Sequence, residues 1–339
     1  MIRRACGVAP GVQTIQAGSA GGPEVLELVE LPTPEPGPGQ VRVRVAAAGV
    51  NFIDTYRRSG LYPVPFPHVV GGEGAGTVEA LGEGVTRIDL GDRVAWASGA
   101  PGSYAEQVLL DTEHAVPVPA GVDLTTAAAL LLQGMTAHYL VASTFPVTPG
   151  QDVLVHAAAG GVGLLLTQLA VARGARVIAT VGAAEKEDLA RGAGAAEVIR
   201  YDLLDDLATE LPARVRELTG GAGVHTVFDG VGRATFDASL ASLRPLGGLA
   251  LFGASSGPVP PLDPQRLNAA GSLFLTRPTL AHYTATREEL LWRAGELLDA
   301  VASGTLDVRV GATFPLADAA AAHRALEGRT TTGKVLLVP

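Results

Sequence analysis

Alternating apolar and polar positions mark the first part of the chain as a series of short β-strands. Val41-Arg-Val-Arg-Val45 repeats with a period of two, which predicts a half-buried strand whose arginines face water. The Pro- and Gly-rich segment 32–39 interrupts the pattern, because its prolines lack an amide donor and its glycines favour turns. Further short apolar runs cover 69–78, 93–97 and 104–110. Strands of this length and spacing predict a compact β-barrel or a partly open sheet.

The pattern changes near residue 124. A Thr-, Ala- and Leu-rich stretch from 125 onwards predicts a capped helix that is closed by Gly134. Beyond it, short apolar strands alternate with helical stretches, one of which covers 235–243. The candidate strands are 152–157, 176–181, 197–200, 224–229, 249–252 and 272–275. Strands joined in this way predict a doubly wound parallel sheet with right-handed crossovers.

The end of the chain carries a strong helical pattern at 287–303 and a last apolar strand at 334–338. That strand needs a partner, and the sheet of the first domain is the natural one. We therefore predict an α/β fold with an inserted domain, and the length of 339 residues agrees with two domains. A discontinuous outer domain would take 1–134 and 276–339, and the doubly wound domain would take 135–275.

The turn after the strand 152–157 is the first candidate for chemistry. Ala158, Gly160 and Gly163 occupy the three small positions of G-x-G-x-x-G, with Ala in place of the first Gly. Gly161 and Val162 complete the turn, and Gly161 adds a position where backbone can approach a phosphate. A strand that ends in such a turn and continues as a helix predicts dinucleotide binding at the helix N-terminus.

The end of the second parallel strand indicates which dinucleotide binds. Residues 180–184 contain no carboxylate that would repel a 2′-phosphate. Lys186, four residues after Gly182, supplies a charge-assisted contact, and Tyr201 adds a hydroxyl, which favours NADPH over NAD. In the alternative interpretation Lys186 is solvated and Tyr201 packs on the sheet. A Glu185 side chain turned inwards would reverse the preference.

Composition and charge narrow the class of protein. Hydrophobic residues make up 47% of the chain and charged residues 17%, which is typical of a well-buried globular protein. The formal net charge of −9 argues against nucleic-acid binding. Cys6 is the single cysteine, so an intramolecular disulfide and a four-thiolate zinc site are ruled out. No apolar run approaches the ~20 residues of a membrane span, and no signal-peptide core is present, so we expect a soluble cytosolic protein.

Four motifs in order resemble a known family. They are AGVNFIDTYRRSGLY at 48–62, GGEGAGTV at 71–78, GDRV at 91–94 and AAAGGVG at 157–163. Over nearly the whole chain, the sequence is similar to the zinc-independent medium-chain dehydrogenases/reductases, and within them to bacterial NADPH:quinone reductases related to ζ-crystallin. The resemblance implies a GroES-like β-barrel catalytic domain around an inserted Rossmann domain. It also implies NADPH in the cleft between them and a homodimer.

The metal ligands of the zinc-dependent relatives are replaced in this chain. Asn51 stands at the position of their catalytic Cys, and Gly72 stands at that of a His in a Gly-His-Glu motif. His68 is a lone substitute, and one His cannot complete a three-ligand site. We therefore expect no metal.

The resemblance also implies residue roles on the substrate side. Asn51, Tyr56 and Tyr62 would line the site near the nicotinamide. The Asn51 amide would donate to cofactor or substrate, and either tyrosine would stack on a flat ring or donate to a quinone oxygen. Core or turn packing is the alternative for these residues. Asp54 is expected to act as a cap or turn partner rather than as an acid, and Arg277, after the sixth parallel strand, is a further candidate.

The remaining cofactor candidates are distributed along the chain. Thr136 matches a family position beside the nicotinamide, and Gln133 stands where the family often has Lys. The others are Phe252, Gly253 and Ser255 at the end of the fifth parallel strand, and Arg329, which by resemblance reaches the phosphate end of the cofactor.

A site without a metal has no Lewis acid to polarise a simple carbonyl group, so it suits acceptors that take hydride easily. Quinones and conjugated, electron-poor carbonyl compounds are such acceptors. We predict an NADPH:quinone reductase. One alternative is an NADPH-dependent enone or alkene reductase. Another, of a different class, is a non-enzymatic NADPH-binding protein with a structural or nucleic-acid-binding role. The acidic charge argues against nucleic acid.

Overall fold

The structure is a computed structural model that describes residues 11–339, and these residues form two compact units. The first unit takes the chain up to Leu131 together with Val310–Pro339, and the second takes Leu132–Arg309. Cys6 and the rest of residues 1–10, which belong to the predicted outer domain, lie outside the described part.

Strands and helices follow one another along both units. The strands are β1 (Gly11–Ala17), β2 (Leu26–Pro32), β3 (Gln40–Val50), β4 (His68–Val69), β5 (Gly74–Leu81), β6 (Arg93–Trp96), β7 (Gln107–Asp111), β8 (Val116–Pro117), β9 (Asp152–Val155), β10 (Arg176–Val181), β11 (Glu197–Arg200), β12 (Val224–Asp229), β13 (Leu243–Leu251), β14 (Phe274–Thr276), β15 (Val310–Pro315) and β16 (Lys334–Val338). The helices are α1 (Phe52–Arg58), α2 (Leu124–Tyr139), α3 (Gly161–Ala172), α4 (Glu187–Gly192), α5 (Leu207–Leu218), α6 (Phe236–Ser242), α7 (Gln265–Ala269), α8 (Leu280–Tyr283), α9 (Arg287–Ala302) and α10 (Ala319–Glu327).

The long strand β3 organises the first unit. Val43 and Val45 are buried while Arg44 faces water, as the period of two predicts. β3 pairs antiparallel with β5, β7 and β16 in a sheet whose order is β15-β16-β3-β5-β6-β8. The predicted pairing of the last strand with this sheet is therefore confirmed. A smaller sheet has the order β2-β1-β4, and the buried side chains of Trp96 and Tyr104 belong to the core of the unit.

The second unit is built on a sheet of parallel strands in the order β11-β10-β9-β12-β13-β14. This is the predicted doubly wound arrangement, and the bounds of β10, β11 and β12 agree with the prediction. The strand order reverses between β9 and β12. Parallel sheets bind ligands beyond the carboxyl ends of their strands at such a point.

The second unit ends later than the predicted division at residue 275, because residues 276–309 make their contacts within this unit. Arg293 on α9 is buried, and its guanidinium donates to Ser143 Oγ and His138 Nδ1, each at 3.1 Å. The backbone at Asp307 is likewise bound to Gln168 on α3. The division of the sequence placed these residues in the outer domain because the alternation of strands and helices ends before them.

Helix α2 is longer than the sequence predicted. It continues through Gly134 to Tyr139 and then as one π-helical turn, Leu140–Thr144, because Met135, Tyr139 and Leu140 are buried and packing outweighs the low helix propensity of glycine. Among residues 11–339 the stretch 124–144 is the one helix long and apolar enough to span a membrane, with a mean hydropathy of 1.2. The sequence had suggested no such run. Since 67% of that window is buried inside the protein, its apolar surface belongs to the core.

Candidate cofactor site and active site

The turn that leaves β9 is held closely against its neighbours. The amide of Ala158 donates to the carbonyl oxygen of Thr180 on β10 (3.0 Å), and the amide of Gly160 donates back to Ala157 (2.9 Å). Ala157 has a φ of 51°, a left-handed conformation that turns the chain sharply. Helix α3 then begins at Gly161, so its first amides, which lack intrahelical acceptors, are presented beyond the end of β9.

The glycines of this turn allow the backbone to pack closely against neighbouring atoms. A Cβ on Gly163 would collide with the carbonyl oxygen of Ala157, so α3 packs directly on the turn. A Cβ on Gly161 would collide with the amide group of Gln133, whose side chain therefore covers the start of α3. Val162 is half-buried between the two glycines. We call this turn, 157–163, the glycine cradle, and its shape and helix N-terminus fit a pyrophosphate.

Gly182 and Tyr201 lie together at the ends of β10 and β11. A Cβ on Gly182 would lie 2.6 Å from Cζ of Tyr201, so the phenol ring rests against the backbone. Lys186 ends the short turn after β10 and is half-buried, while Glu185 is exposed. Sequence reasoning missed Arg200, which adjoins Tyr201. Its guanidinium donates to the carboxylate of Asp202 at 2.6 and 2.7 Å. Two cations and one phenol therefore adjoin the strand ends where the sequence predicts the 2′-phosphate.

Phe252, Gly253 and Ser255 follow β13 and are bound to the end of β12. The amide of Phe252 donates to the carbonyl oxygen of Asp229 (2.9 Å), and that of Ser255 donates to Gly230 (3.3 Å). A Cβ on Gly253 would lie 2.8 Å from the Cα of Gly230, so glycine is needed for this close approach. The three residues thus lie together beyond the carboxyl ends of two parallel strands.

A buried network that sequence reasoning missed connects the ends of β9, β10 and β12. The hydroxyls of Thr235 and Ser239 both donate to Asp229 (2.7 Å), and the imidazole of His156 bridges Ser239 and Thr180 (3.0 Å each). Because Ser239 gives its hydrogen to Asp229, Nε2 of His156 donates to the Ser239 oxygen, and in the neutral ring Nδ1 accepts from the Thr180 hydroxyl. Burial lowers the pKa of His156, and the charge of Asp229 opposes this only in part. The one signal in the sequence was a polar residue within an apolar strand.

Asn51 lies between β3 and α1, among buried charged groups of the first unit. Its Oδ1 accepts from the ammonium of Lys334 (2.8 Å), and its Nδ2 donates to Glu73 (2.8 Å) and to the carbonyl oxygen of Gly49 (3.3 Å). Lys334 and Glu73 also form an ion pair, and their side chains are 1% and 0% exposed. Donation from the Asn51 amide to a cofactor or substrate, as the sequence predicted, would require one of these internal bonds to open.

The other predicted site residues differ in their surroundings. The rings of Tyr56 and Tyr62 make a T-shaped contact with centroids 5.4 Å apart, and Tyr62 is 40% exposed. Thr136 is buried in α2, and its hydroxyl donates to the carbonyl oxygen four residues earlier (2.7 Å), so that hydrogen is used inside the helix. Arg277 is exposed after β14 in the second unit, and Arg329 is exposed after α10 in the first. The structure thus brings the two tyrosines together, while both arginines reach solvent.

The part of the chain that the structure describes contains no group of three or more His, Cys, Asp or Glu side chains placed to hold a metal ion. Asn51 is bound by an ammonium and a carboxylate, and Gly72 offers no side chain at the second position. Burial, together with the charge of Arg57, lowers the pKa of His68. One imidazole by itself does not make a zinc site.

Comparisons with known proteins agree with this fold. The family model for the alcohol dehydrogenase GroES-like domain matches residues 37–120, and that for zinc-binding dehydrogenases matches residues 161–292. A quinone oxidoreductase of Pseudomonas aeruginosa is 46% identical over 326 residues, which cover 96% of this chain and 99% of the relative. The chain belongs to the quinone oxidoreductases of the medium-chain dehydrogenase/reductase family. A 2-haloacrylate reductase of Burkholderia is 43% identical over 327 residues, 94% of this chain and 96% of the relative.

Two solved structures of family members are also similar to this chain. One is a mycobacterial protein in complex with NADPH, with a TM-score of 0.93 and 55% identity, covering 96% of this chain and 100% of the other. The second is Escherichia coli quinone oxidoreductase in complex with NADPH, with a TM-score of 0.93, 44% identity and the same coverage of 96% and 100%. The predicted family and fold class, a GroES-like unit with a Rossmann sheet, are confirmed.

Proposed function

We propose that this chain is an NADPH-dependent quinone oxidoreductase, which transfers a hydride from NADPH to a quinone without a metal ion. The observation that carries the proposal is the glycine cradle between β9 and α3, which fits a dinucleotide. The quinone oxidoreductases of P. aeruginosa and E. coli support the activity, and the NADPH complex of the E. coli enzyme supports the cofactor.

The second unit would hold the cofactor along the carboxyl edge of its parallel sheet. We assign the pyrophosphate to Ala158, Gly160, Gly161, Val162 and Gly163, the 2′-phosphate to Gly182, Lys186 and Tyr201, and the rest of the dinucleotide to Thr136, Phe252, Gly253 and Ser255. Asn51, which belongs to the first unit, stays assigned to the cofactor by family resemblance alone. Arg329 stays assigned to the phosphate end by family resemblance. When bound, the reduced nicotinamide supplies the hydride.

The tyrosines of the first unit are the main substrate-side groups in this proposal. The rings of Tyr56 and Tyr62 offer a partly exposed surface on which a quinone stacks. Their hydroxyls would donate to the oxygen on which negative charge develops. Asn51 is the positioned amide near them in sequence, and Arg277 is the remaining candidate. The product takes its proton from water, so no side chain needs to act as a general acid.

A second candidate function is the NADPH-dependent reduction of an activated alkene. The Burkholderia relative, a 2-haloacrylate reductase, favours it. Quinones and 2-haloacrylates are both conjugated and electron-poor, so the same residues could position either acceptor.

We also propose a cytosolic homodimer that has no nucleic-acid or membrane partner. β14 is an edge strand of the parallel sheet, and two apolar side chains near this edge, Phe274 and Leu246, are 59% and 64% exposed. The net charge of −9 opposes contact with phosphate backbones. Phe274→Glu should therefore give monomers in analytical ultracentrifugation, and an unchanged dimer would argue against this edge as the interface.

The decisive experiment is NADPH oxidation by the purified protein with a panel of acceptors. Soluble benzo- and naphthoquinones should be reduced with a higher kcat/KM than enones and 2-haloacrylates. The reverse order would establish the alkene reductase instead. Saturable NADPH binding in calorimetry without turnover of any acceptor would favour the non-enzymatic alternative. Metal analysis that returned one tightly held zinc ion per chain would contradict the metal-free mechanism.

A further inference from the structure

A chain of buried hydrogen bonds runs through the first unit and ends at Asn51. It joins Asp54 and Arg58 on α1, Tyr104 between β6 and β7, and His323 on α10. Arg58 Nη1 lies 3.1 Å from His323 Nδ1, His323 Nε2 lies 3.2 Å from Tyr104 Oη, and the phenol donates to Asp54 Oδ2 at 3.0 Å. The same oxygen of Asp54 accepts from the backbone amide of Asn51 at 2.9 Å. All five residues are buried.

Arg58, at the outer end of this series of hydrogen bonds, fixes which atom donates in each of them. Arg58 has only donors, so Nδ1 of His323 accepts and Nε2 carries the ring hydrogen. That hydrogen points to the Tyr104 oxygen, and the phenol must therefore give its own hydrogen to Asp54. Burial raises the pKa of Tyr104 well above its usual value, so the phenol stays a donor.

Arg58 is itself held firmly. Its Nη1 and Nη2 donate to the two carboxylate oxygens of Glu327 at 3.1 and 2.7 Å, and its Nε donates to the carbonyl oxygen of Gly21 at 3.1 Å. Glu327 reaches solvent, since its side chain is 35% exposed. The series of hydrogen bonds thus begins near the surface with the bidentate Arg58–Glu327 ion pair and ends at Asn51, a predicted site residue.

We propose that Asp54, Tyr104 and His323 are positioning residues, which hold Asn51 and the start of α1 in the conformation used for reduction of the acceptor. The proposal rests on the proposed function. The ionised carboxylate of Asp54 accepts hydrogen bonds from the Tyr104 hydroxyl and from the backbone amide of Asn51. A proton on Asp54 weakens both bonds, because a neutral carboxyl is a poorer acceptor. The hold on Asn51 is therefore strongest when Asp54 is ionised.

Burial, opposed in part by hydrogen bonds and nearby charges, brings the titration of Asp54 into an accessible pH range. Burial raises the pKa of Asp54 to about 6, and Arg57 on α1 and Lys334 on β16 limit the rise, as do the two hydrogen bonds. His323, behind Tyr104, stays neutral in this range, because burial and the charge of Arg58 lower its pKa to about 3. Glu73 is the other carboxylate that acts on Tyr104. Activity should therefore decline as the pH falls through about 6.

Tyr104→Phe tests the proposed role of these hydrogen bonds, because it removes one hydroxyl and little volume. Loss of a hydrogen bond to the carboxylate should move the acid limb of kcat/KM for quinone upward by about 1 pH unit. Asp54→Asn should lower kcat/KM at neutral pH and abolish this limb. The same upward shift should be seen without cofactor or substrate, in the 13C NMR titration of labelled aspartate carboxyls, where Asp54→Asn identifies the signal. An unshifted limb and an unshifted signal in Tyr104→Phe would overturn the proposal.

Ser103→Ala is the matched control. Ser103 is the neighbour of Tyr104, is equally buried, and its hydroxyl bonds to Trp96 and to the carbonyl oxygen of Ala100 rather than to Asp54. Ser103→Ala should lose about as much stability as Tyr104→Phe but leave the acid limb of kcat/KM at its wild-type pH. An equal shift of this limb in both variants would refute the positioning role. His323→Gln, which keeps a donor and an acceptor, should retain more activity than His323→Leu. A wild-type protein that reduces no acceptor would refute the proposed function and this proposal together.

Discussion

The buried pair of Lys334 and Glu73 offers a quantitative test of what holds the first unit together. Lys334→Met keeps most of the side-chain volume, which matters because a Cβ on Gly49 would already lie 2.8 Å from Cε of Lys334. The substitution removes the ammonium and leaves the Glu73 carboxylate buried without that cation. Asn51 also loses the donor to its Oδ1.

The expected magnitude follows from the burial of both charges. Removing one member of a buried ion pair costs about 3–5 kcal/mol, because a lone charge stays in a dry environment. Glu73→Gln, which leaves the Lys334 ammonium behind, should cost about as much. The double variant contains neither charge and should lose no more than about 2 kcal/mol. The coupling free energy between the two positions is therefore about 4 kcal/mol or more.

The two tryptophans allow the first unit to be followed separately. Trp96 is buried in the first unit and Trp292 lies in the second. In a Trp292→Phe background, urea unfolding observed through Trp96 fluorescence gives the free energy of unfolding by linear extrapolation. If the double variant lost the sum of the two single losses, the reasoning would be refuted, since the charges would then act independently.

Three further predictions concern the cofactor and the pH. Lys186→Ala should weaken NADPH binding by about 1.5–3 kcal/mol and leave NADH binding nearly unchanged in calorimetry, and equal weakening would show that Lys186 does not contact the 2′-phosphate. Gly163→Ala should reduce NADPH affinity at least about tenfold in fluorescence titrations, because its Cβ collides with the Ala157 carbonyl oxygen, whereas Gly160→Ala, whose Cβ would lie 3.2 Å from the same oxygen, should cost less. Burial lowers the pKa of His323 to about 3, so the stability that its neutral form contributes is present above about pH 6.5 and is lost as the pH falls toward 3. Between about pH 7 and about pH 4.5, His323→Gln should therefore lose roughly 2–3 kcal/mol less than the wild type in urea unfolding, and parallel losses would contradict a neutral His323.

The sequence predicts the parallel sheet well because its signals are local. β10, β11 and β12 are apolar runs bounded by turn residues, and the glycine cradle follows β9 directly. The sequence fails where distant packing decides the outcome. Gly134 signals a helix end, yet burial of the residues after it carries α2 further.

The buried polar networks lie beyond sequence reasoning for the same reason. Asn51 and Lys334 are 283 residues apart, and Tyr104 and His323 are 219 apart. No period or spacing encodes which polar side chains meet inside a core. The turn between β9 and α3 could be predicted from one continuous motif, whereas the surroundings of Asn51 depend on a strand and a helix from the end of the chain.

The position of β16 has a consequence for synthesis on the ribosome. β16 lies between β15 and β3, and it carries Lys334 into the core of the first unit. Translation delivers all of residues 132–309 before it delivers this strand. The second unit can therefore fold first, while the N-terminal strands lack this partner strand until the end of translation, and unpaired strand edges of this kind are prone to aggregation.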